Sequence, residues 1–351
     1  MKRKKRVLIV ATSSKTRGGI TSVIKAHQNT HLWQEWNCKW IETHIDRSKI
    51  VKLSYAIFAL IKFLNNLPSA NIVHIHLSGP VSAKRKQVFI KLTKWLKKPL
   101  IIHFHAFSAD ANIDIRYKKC YLKIFTEADT VIVLSNSWKQ GLIDDLGISP
   151  NKIEVLYNPC PTIELNQSVQ KENLILYAGT LNERKNYKIL IKAFAIIAKE
   201  FPTWKLVLAG NGEVEQAIAL ARTLEIENQV DCKGWIAGED KHQLFSKASV
   251  FCLPSYAEGF PMAVLDAWAY GLPVITTPVG GIPEVAIDGE NIILFNPNEF
   301  QYLAQKLKQL IMDQVLQTKL SKAALHFANN QFSLKQIESD MNKVYNKLSL
   351  N

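Results

Sequence analysis

The chain has 351 residues, 47% hydrophobic and 21% charged. This is globular composition with apolar material for two domains, and it excludes collagen-like, coiled-coil and largely disordered classes. The formal net charge is +14 and unevenly placed: residues 1–165 hold 26 Lys/Arg against 11 Asp/Glu, and residues 166–351 hold 18 against 19. An excess confined to one half points to an anionic surface or ligand that only that half meets.

The chain opens MKRKKRVLIVATSSKTRGG. Its apolar run is too short for the core of a signal peptide, so VLIVA is expected to be a buried first strand leading into a Ser/Lys/Gly loop. Gly18 and Gly19 in that loop allow close approach of backbone to a ligand at the next helix N-terminus, or simply an ordinary glycine turn. LSYAIFALI (53–61) falls short of a membrane span and, between its lysines, suits a packed helix.

RVLIVAT, NIVHIHL, PLIIHFH and TVIVLS read as fully buried strands separated by helical patterns, which implies βαβ units and a parallel sheet. His74/His76 and His103/His105 each stand two apart, so each pair shares one strand face. An HxH pair suits a metal, but no neighbouring Cys or Glu cluster completes a site. One cleft-facing histidine at a strand end, with the others packed, is the expected arrangement. KRKQVFIKLTKWLKKP (84–99) has seven basic residues, no acidic ones, and Val88, Leu92, Trp95 and Leu96 interleaved. It suits an anionic membrane surface, or else a solvated helix face. No nucleic-acid recognition motif accompanies the charge. The five cysteines show no CxxC or zinc spacing and read as reduced thiols.

NPCPTIELNQSVQKEN (158–173) is polar, proline-bearing and aperiodic, and is read as the linker. The strand–helix rhythm then resumes with NLILYAG, WKLVLAG, QVDCKG, SVFCLPS and PVITTP. In YAGTLNERKNYKIL a strand ends at Gly179, and Arg184 and Lys185 sit where the next helix begins. That is a favourable place for a diphosphate, although an Arg-Lys pair is more often a solvated turn. LVLAGNGEVE places Asn211 between two glycines, but Glu215 stands where a dinucleotide fingerprint needs its third glycine; a tight turn is preferred, with backbone contact to a ligand left open.

The strongest signal is YAEGFPMAVLDAWAYGLP (256–273), which sets Glu258 and Asp266 in an otherwise uncharged, Gly/Pro-bounded segment. Burying unpartnered carboxylates is costly. A helix beginning near Pro261 would aim the first free amides, around Phe260 to Met262, at a ligand and place Asp266 one to two turns inside. Two carboxylates can accept hydrogen bonds from sugar hydroxyls. The last helix should start at SLKQ, with Ser333 as cap and Leu334, Ile337, Met341, Val344 and Leu348 on one stripe.

The expected architecture is α/β: two tandem Rossmann-like, doubly wound domains with a ligand cleft at their strand ends. An acceptor-binding domain spans 1–165 and a nucleotide-sugar-binding domain spans 166–332, with helix 333–351 packing back on the first.

The segments GTLNERKN, LVLAGNGE, LPSYAEGFPMAVLDAWAYGLPVITTPVGGIPEV and the early RGG loop resemble the GT-B nucleotide-sugar glycosyltransferases. Within these the chain is most similar to the retaining family 4 of bacterial cell-envelope synthesis. The resemblance covers nearly the whole chain and is most specific over 251–285. It implies a transferase that moves a sugar from a nucleotide diphosphate sugar, UDP favoured and GDP possible, to a lipid-linked or saccharide acceptor. No cofactor or metal ion is implied. The place of action would be the cytoplasmic face of the membrane, reached through the basic first domain, without nucleic acid.

By position, Glu258 matches the family's donor-sugar carboxylate, Asp266 its ribose-binding acid, Lys185 its diphosphate lysine, His105 its cleft histidine, and Gly18 and Gly19 its flexible glycine loop. Two departures stand out: the second acid is Asp rather than Glu, and the arginine after the strand glycine is replaced by Thr180, with Arg184 nearby. The alternatives are a nucleotide-sugar epimerase on the same fold, which needs no acceptor, and a basic membrane- or nucleic-acid-binding protein without catalysis, in which Glu258 and Asp266 are dispensable.

Overall fold

The computed structural model describes residues 5–105, 113–166 and 168–350. The chain divides into two compact units, Met1–Pro159 with Leu334–Asn351, and Cys160–Ser333.

In chain order the first unit contains β1 (Val7–Ala11), α1 (Gly19–His27), α2 (His31–Glu35), β2 (Lys39–Glu42), α3 (Lys49–Asn66), β3 (Ile72–Leu77), α4 (Pro80–Trp95), β4 (Leu100–Phe104), α5 (Lys118–Glu127), β5 (Thr130–Val133), α6 (Asn136–Leu146) and β6 (Ile153–Val155). Its sheet is parallel, in the order β2-β1-β3-β4-β5-β6. Every residue of β1, β3, β4 and β5 is buried. That is why these strands read as unbroken apolar runs: helices cover both faces, so no face alternates with water. One face packs under α3 to α6. The other packs under α1, α2 and the chain's last helix, which contributes Ile337, Met341, Val344, Tyr345 and Leu348. Four of the five stripe residues expected of that helix are thus buried, with Tyr345 added edge-on to Trp36 at 5.2 Å.

The second unit continues with β7 (Leu174–Ala178), α7 (Tyr187–Ala198), β8 (Lys205–Ala209), α8 (Val214–Thr223), β9 (Val230–Gly234), α9 (Gly238–Lys247), β10 (Val250–Leu253), α10 (Met262–Ala269), β11 (Val274–Thr276), β12 (Ile293–Leu294), α11 (Phe300–Met312) and α12 (Gln314–Asn329); the last helix of the chain is α13 (Leu334–Ser349). The second sheet is parallel, in the order β12-β11-β10-β7-β8-β9. The order reverses between β7 and β10, and the loops leaving adjacent strands there diverge to open a crevice at the carboxyl ends. In the first sheet the same reversal falls between β1 and β3.

Two helices differ from expectation. The segment 53–61 is not a packed helix. It belongs to α3, of which only Ala59 and Phe63 are buried. With the turn that follows, Lys49–Ser69 is long and apolar enough by length and composition to cross a membrane, but it lies along the first sheet. In α4 the core face is Ser82, Ala83, Lys86, Phe89, Ile90 and Thr93. Of the apolar residues noted for that segment, Val88, Trp95 and Leu96 face outwards and Leu92 is only partly buried.

Candidate active site

Glu258 sits in the loop after β10, at the carboxyl end of the sheet, and is only 7% exposed. Lys185, on the loop after β7, donates from Nζ to Glu258 Oε1 at 2.5 Å. Arg184 Nη1 lies 3.4 Å from Glu258 Oε2 and donates to the Ala257 carbonyl at 2.6 Å. The carboxylate is therefore not alone. Burial pushes its pKa up, but Lys185 foremost and Arg184 after it outweigh that, and the group sits below its ordinary value. The cations are aimed by local chemistry. Asn182 caps the short turn Glu183–Lys185 through its side chain, accepting from Lys185 N at 3.0 Å. Asn186 then takes a left-handed φ of 53°, which Asn tolerates better than most residues, and bonds the Pro297 carbonyl at 2.8 Å.

Pro261 is the N-cap of α10, one position earlier than a first-turn proline, with extended backbone. The Phe260 side chain is buried among Trp268 and Phe332, so only its backbone is left for a ligand. Pro261 is buried and Met262 half-buried beside it. Asp266 is the fifth residue of α10 and pairs with Lys241 of α9 at 2.7 Å. Burial raises its pKa above the usual value and Lys241 offsets that only in part. Lys241 went unseen in the sequence, because a lysine in GEDKHQ reads as one more solvated charge. The structure thus gives Glu258 and Asp266 separate cation partners, rather than making them one carboxylate pair.

The loops leaving β7 and β8 pack backbone against backbone. Leu181 N donates to the Asn211 carbonyl at 2.7 Å, and Glu213 N donates to the Leu181 carbonyl at 2.8 Å. A Cβ on Gly210 would stand 1.7 Å from the Gly179 carbonyl oxygen, and one on Gly212 2.3 Å from that of Leu181. The glycines of AGNGE are therefore required by this close packing, which supports the tight-turn reading. Gly179 lies at the same junction. Thr180 is exposed and its carbonyl accepts from the Tyr177 hydroxyl at 3.0 Å. Under the Glu258 loop, Gly280 (φ +62°) brings its backbone so close that a Cβ would meet the Gly259 carbonyl oxygen at 2.2 Å.

In the first unit, Gly18 is the N-cap of α1 with φ 141°, a conformation that favours glycine, and a Cβ there would face open space. Gly19 begins the helix. His105 follows β4; its N–H donates to the Leu77 carbonyl at 2.7 Å and its Nε2 lies 2.9 Å from His76 Nδ1. His74, His76 and His103 are buried, and their nitrogens come within 4.8 Å of one another. The four rings stack across β3 and β4, with centroids 4.1–5.4 Å apart and interplanar angles of 12–31°. Burial first, then Lys86, pushes His105 down to about 3, so it is a neutral imidazole at physiological pH. Lys86 itself is buried, bonded to the His76 carbonyl and to Ser82 Oγ, and burial lowers it to about 7. One of the seven basic residues of the 84–99 segment is thus internal.

Two doubly wound parallel sheets, with a buried acid and its two cations at the carboxyl-end switch point of the second, define the α/β GT-B class. The model for group 1 glycosyl transferases matches residues 162–327, and the model for glycosyltransferase family 4 matches residues 39–163. The chain belongs to the family 4 glycosyltransferases of the GT-B fold. It is similar to the capsular polysaccharide biosynthesis glycosyltransferase CapM of Staphylococcus aureus, 27% identical over 61% of this chain and 58% of that protein. It is also similar to the GalNAc-alpha-(1->4)-GalNAc-alpha-(1->3)-diNAcBac-PP-undecaprenol alpha-1,4-N-acetyl-D-galactosaminyltransferase of Campylobacter jejuni, 28% identical over 62% of this chain and 60% of that enzyme. The chain thus spans about three fifths of these two relatives' length. Among solved structures, Anabaena HepE in complex with UDP and glucose has the same fold, with a TM-score of 0.77, 18% identity, and coverage of 98% of this chain and all of that one.

Proposed function

We propose that the protein transfers a sugar from a UDP-sugar to a lipid-linked acceptor in the assembly of a cell-surface polysaccharide, with retention of the anomeric configuration. The observation that carries the donor side is the buried Glu258 held ionised by Lys185 and Arg184 at the carboxyl end of the second sheet. Breaking the bond between the anomeric carbon and the diphosphate puts negative charge on the leaving phosphate. Lys185 and Arg184, with the free amides at the start of α10, are groups that stabilise such charge. Glu258 accepts hydrogen bonds from the sugar hydroxyls, and Asp266 from the ribose. In this reading the cations replace a metal ion, and activity in chelator should equal activity without it.

The choice of UDP and of a lipid-linked acceptor draws support from the ligand of HepE and from the substrate in the Campylobacter enzyme's name. The proposed place of action is the cytoplasmic face of the membrane. The test is the melting temperature against UDP-, GDP-, ADP- and dTDP-sugars. A ligand at a hundredfold its dissociation constant stabilises by about 2.7 kcal/mol, which moves the midpoint of a domain this size by several degrees. A shift with UDP-sugars alone is expected. A flat response to the whole panel would refute the donor site.

A further inference from the structure

A helix that covers a sheet needs one apolar stripe, and α3 has two. Ala59 and Phe63 face the core. On the opposite side, at spacings of three and four, stand Ile50, Leu53, Ile57, Ile61 and Leu64, with Phe58 beside them, all exposed; Ile50 is 82% and Phe58 70% accessible. Among the described residues, nothing covers this second stripe.

The neighbouring helix is α4, which touches α3 through Phe63 and Phe89 edge to face at 5.0 Å. With Ser82, Ala83, Lys86, Phe89, Ile90 and Thr93 inward, its outward line is Val81, Lys84, Val88, Lys91 and Trp95, the last 76% exposed. Between Asp46 and Asp110 the sequence contains no Asp or Glu and eleven Lys/Arg. The outward faces of α3 and α4 therefore present a ridge of large apolar side chains fringed with cations, and neither helix carries a carboxylate of its own.

We infer that the outward faces of α3 and α4 form a docking surface for an anionic lipid bilayer, with α3 lying in the plane of the interface. The apolar stripe enters the boundary between headgroups and acyl chains while Lys49, Lys52, Lys84, Lys91 and Lys97 meet the phosphates. Charge decides the occupant. A second copy of the chain docking on this face about a two-fold axis would set the basic fringe against itself. An anionic surface neutralises it. The inference stands apart from the donor site, since a chain that bound no UDP-sugar would still bind vesicles through this face.

The experiment is co-sedimentation of the full chain with vesicles of phosphatidylcholine containing phosphatidylglycerol, and of phosphatidylcholine alone. Binding is expected only to the anionic vesicles and should weaken as salt is raised. The double variant Ile57→Glu/Ile61→Glu and the double variant Lys84→Glu/Lys91→Glu should each lower vesicle affinity on the order of tenfold or more. These positions are exposed, so the melting temperature should stay at the wild-type value, which confirms that the variants fold. Variants that fold and bind vesicles like the wild type would overturn the inference. So would a wild type that ignores anionic vesicles but is a dimer that Ile57→Glu/Ile61→Glu splits.

Discussion

Replacing Lys185 with Ala tests the site where stability and chemistry share a residue. Lys185 and Glu258 are both largely buried, with side chains 12% and 9% exposed, and their charges meet at 2.5 Å. Removing one partner of such a pair strands the other charge, typically at a cost of about 3–5 kcal/mol. Arg184 remains 3.4 Å from the other carboxylate oxygen, so the expected loss is smaller, about 2–3 kcal/mol. For a unit of this size that lowers the melting temperature by roughly 5–10 °C.

The loss must depend on pH with a definite sign. In the wild type the folded Glu258 pKa lies below its ordinary value. Its contribution is therefore present above the unfolded carboxylate pKa and is lost as pH falls through the folded one. In Lys185→Ala, desolvation is less opposed and the folded pKa rises. The deficit should then be full at neutral pH, shrink as pH falls through the variant's raised folded pKa, and vanish only below the wild type's lowered one, where the carboxyl is protonated in both proteins. Lys185→Ala/Glu258→Gln should regain stability at neutral pH, because no buried charge is left stranded. If Lys185 also stabilises the leaving diphosphate, kcat should fall by about 10²–10³ in both variants. Urea unfolding across pH measures the first effect and product formation from UDP-sugar the second. Lys185→Ala with wild-type stability at pH 7 and near-normal turnover would refute the reasoning.

Gly280→Ala should destabilise the second unit by about 3 kcal/mol or more, since it adds a 2.2 Å approach to the Gly259 carbonyl oxygen to a left-handed φ. Gly289→Ala, at φ +72° with nothing within 4 Å, should cost only about 1 kcal/mol; equal losses in thermal melts would show that the contact beneath Glu258 is slack. The buried histidines predict acid sensitivity of the first unit. Burial holds His74 and His105 near about 3 and His76 and His103 well below their ordinary value, so the unfolded chain binds the extra protons. Stability should be full above about pH 6.5 and fall as pH drops, by up to about 1.4 kcal/mol per pH unit per histidine. His103→Leu, which removes two ring nitrogens without partners, should flatten that slope by about one proton; an unchanged slope in urea midpoints between about pH 7 and pH 5 would contradict the assignment.

The fold was legible because buried parallel strands announce themselves as apolar runs, and VLIVA, IVHIHL, LIIHF and TVIV lie where the sequence places them. The strands that escaped, β2, β6 and β12, are short and include half-exposed residues, so they lack that signal. Exposure on α3 was illegible for a different reason. Hydropathy reports that a residue is apolar, not whether a sheet or the solvent lies beside it. A helix apolar on both sides therefore looks buried. Lys86 is the converse case, one cation among seven that the fold turns inward, which no count of charges can single out.

The pairing of the site was illegible too, because it is long-range: Lys185 and Glu258 are 73 positions apart. That pairing changes what the site has to do. The sequence suggests a lysine waiting for a diphosphate and a carboxylate waiting for a sugar, but the structure has each satisfying the other. Under the proposed function, a diphosphate that draws Lys185 towards itself takes a partner from a buried carboxylate, which is unfavourable unless new donors replace it. The hydroxyls of the sugar on the same donor are such donors. The two halves of a nucleotide sugar would thus be recognised together, the phosphates taking the cations and the sugar taking the acid they leave behind. The Lys185–Glu258 bond would be the element that couples them.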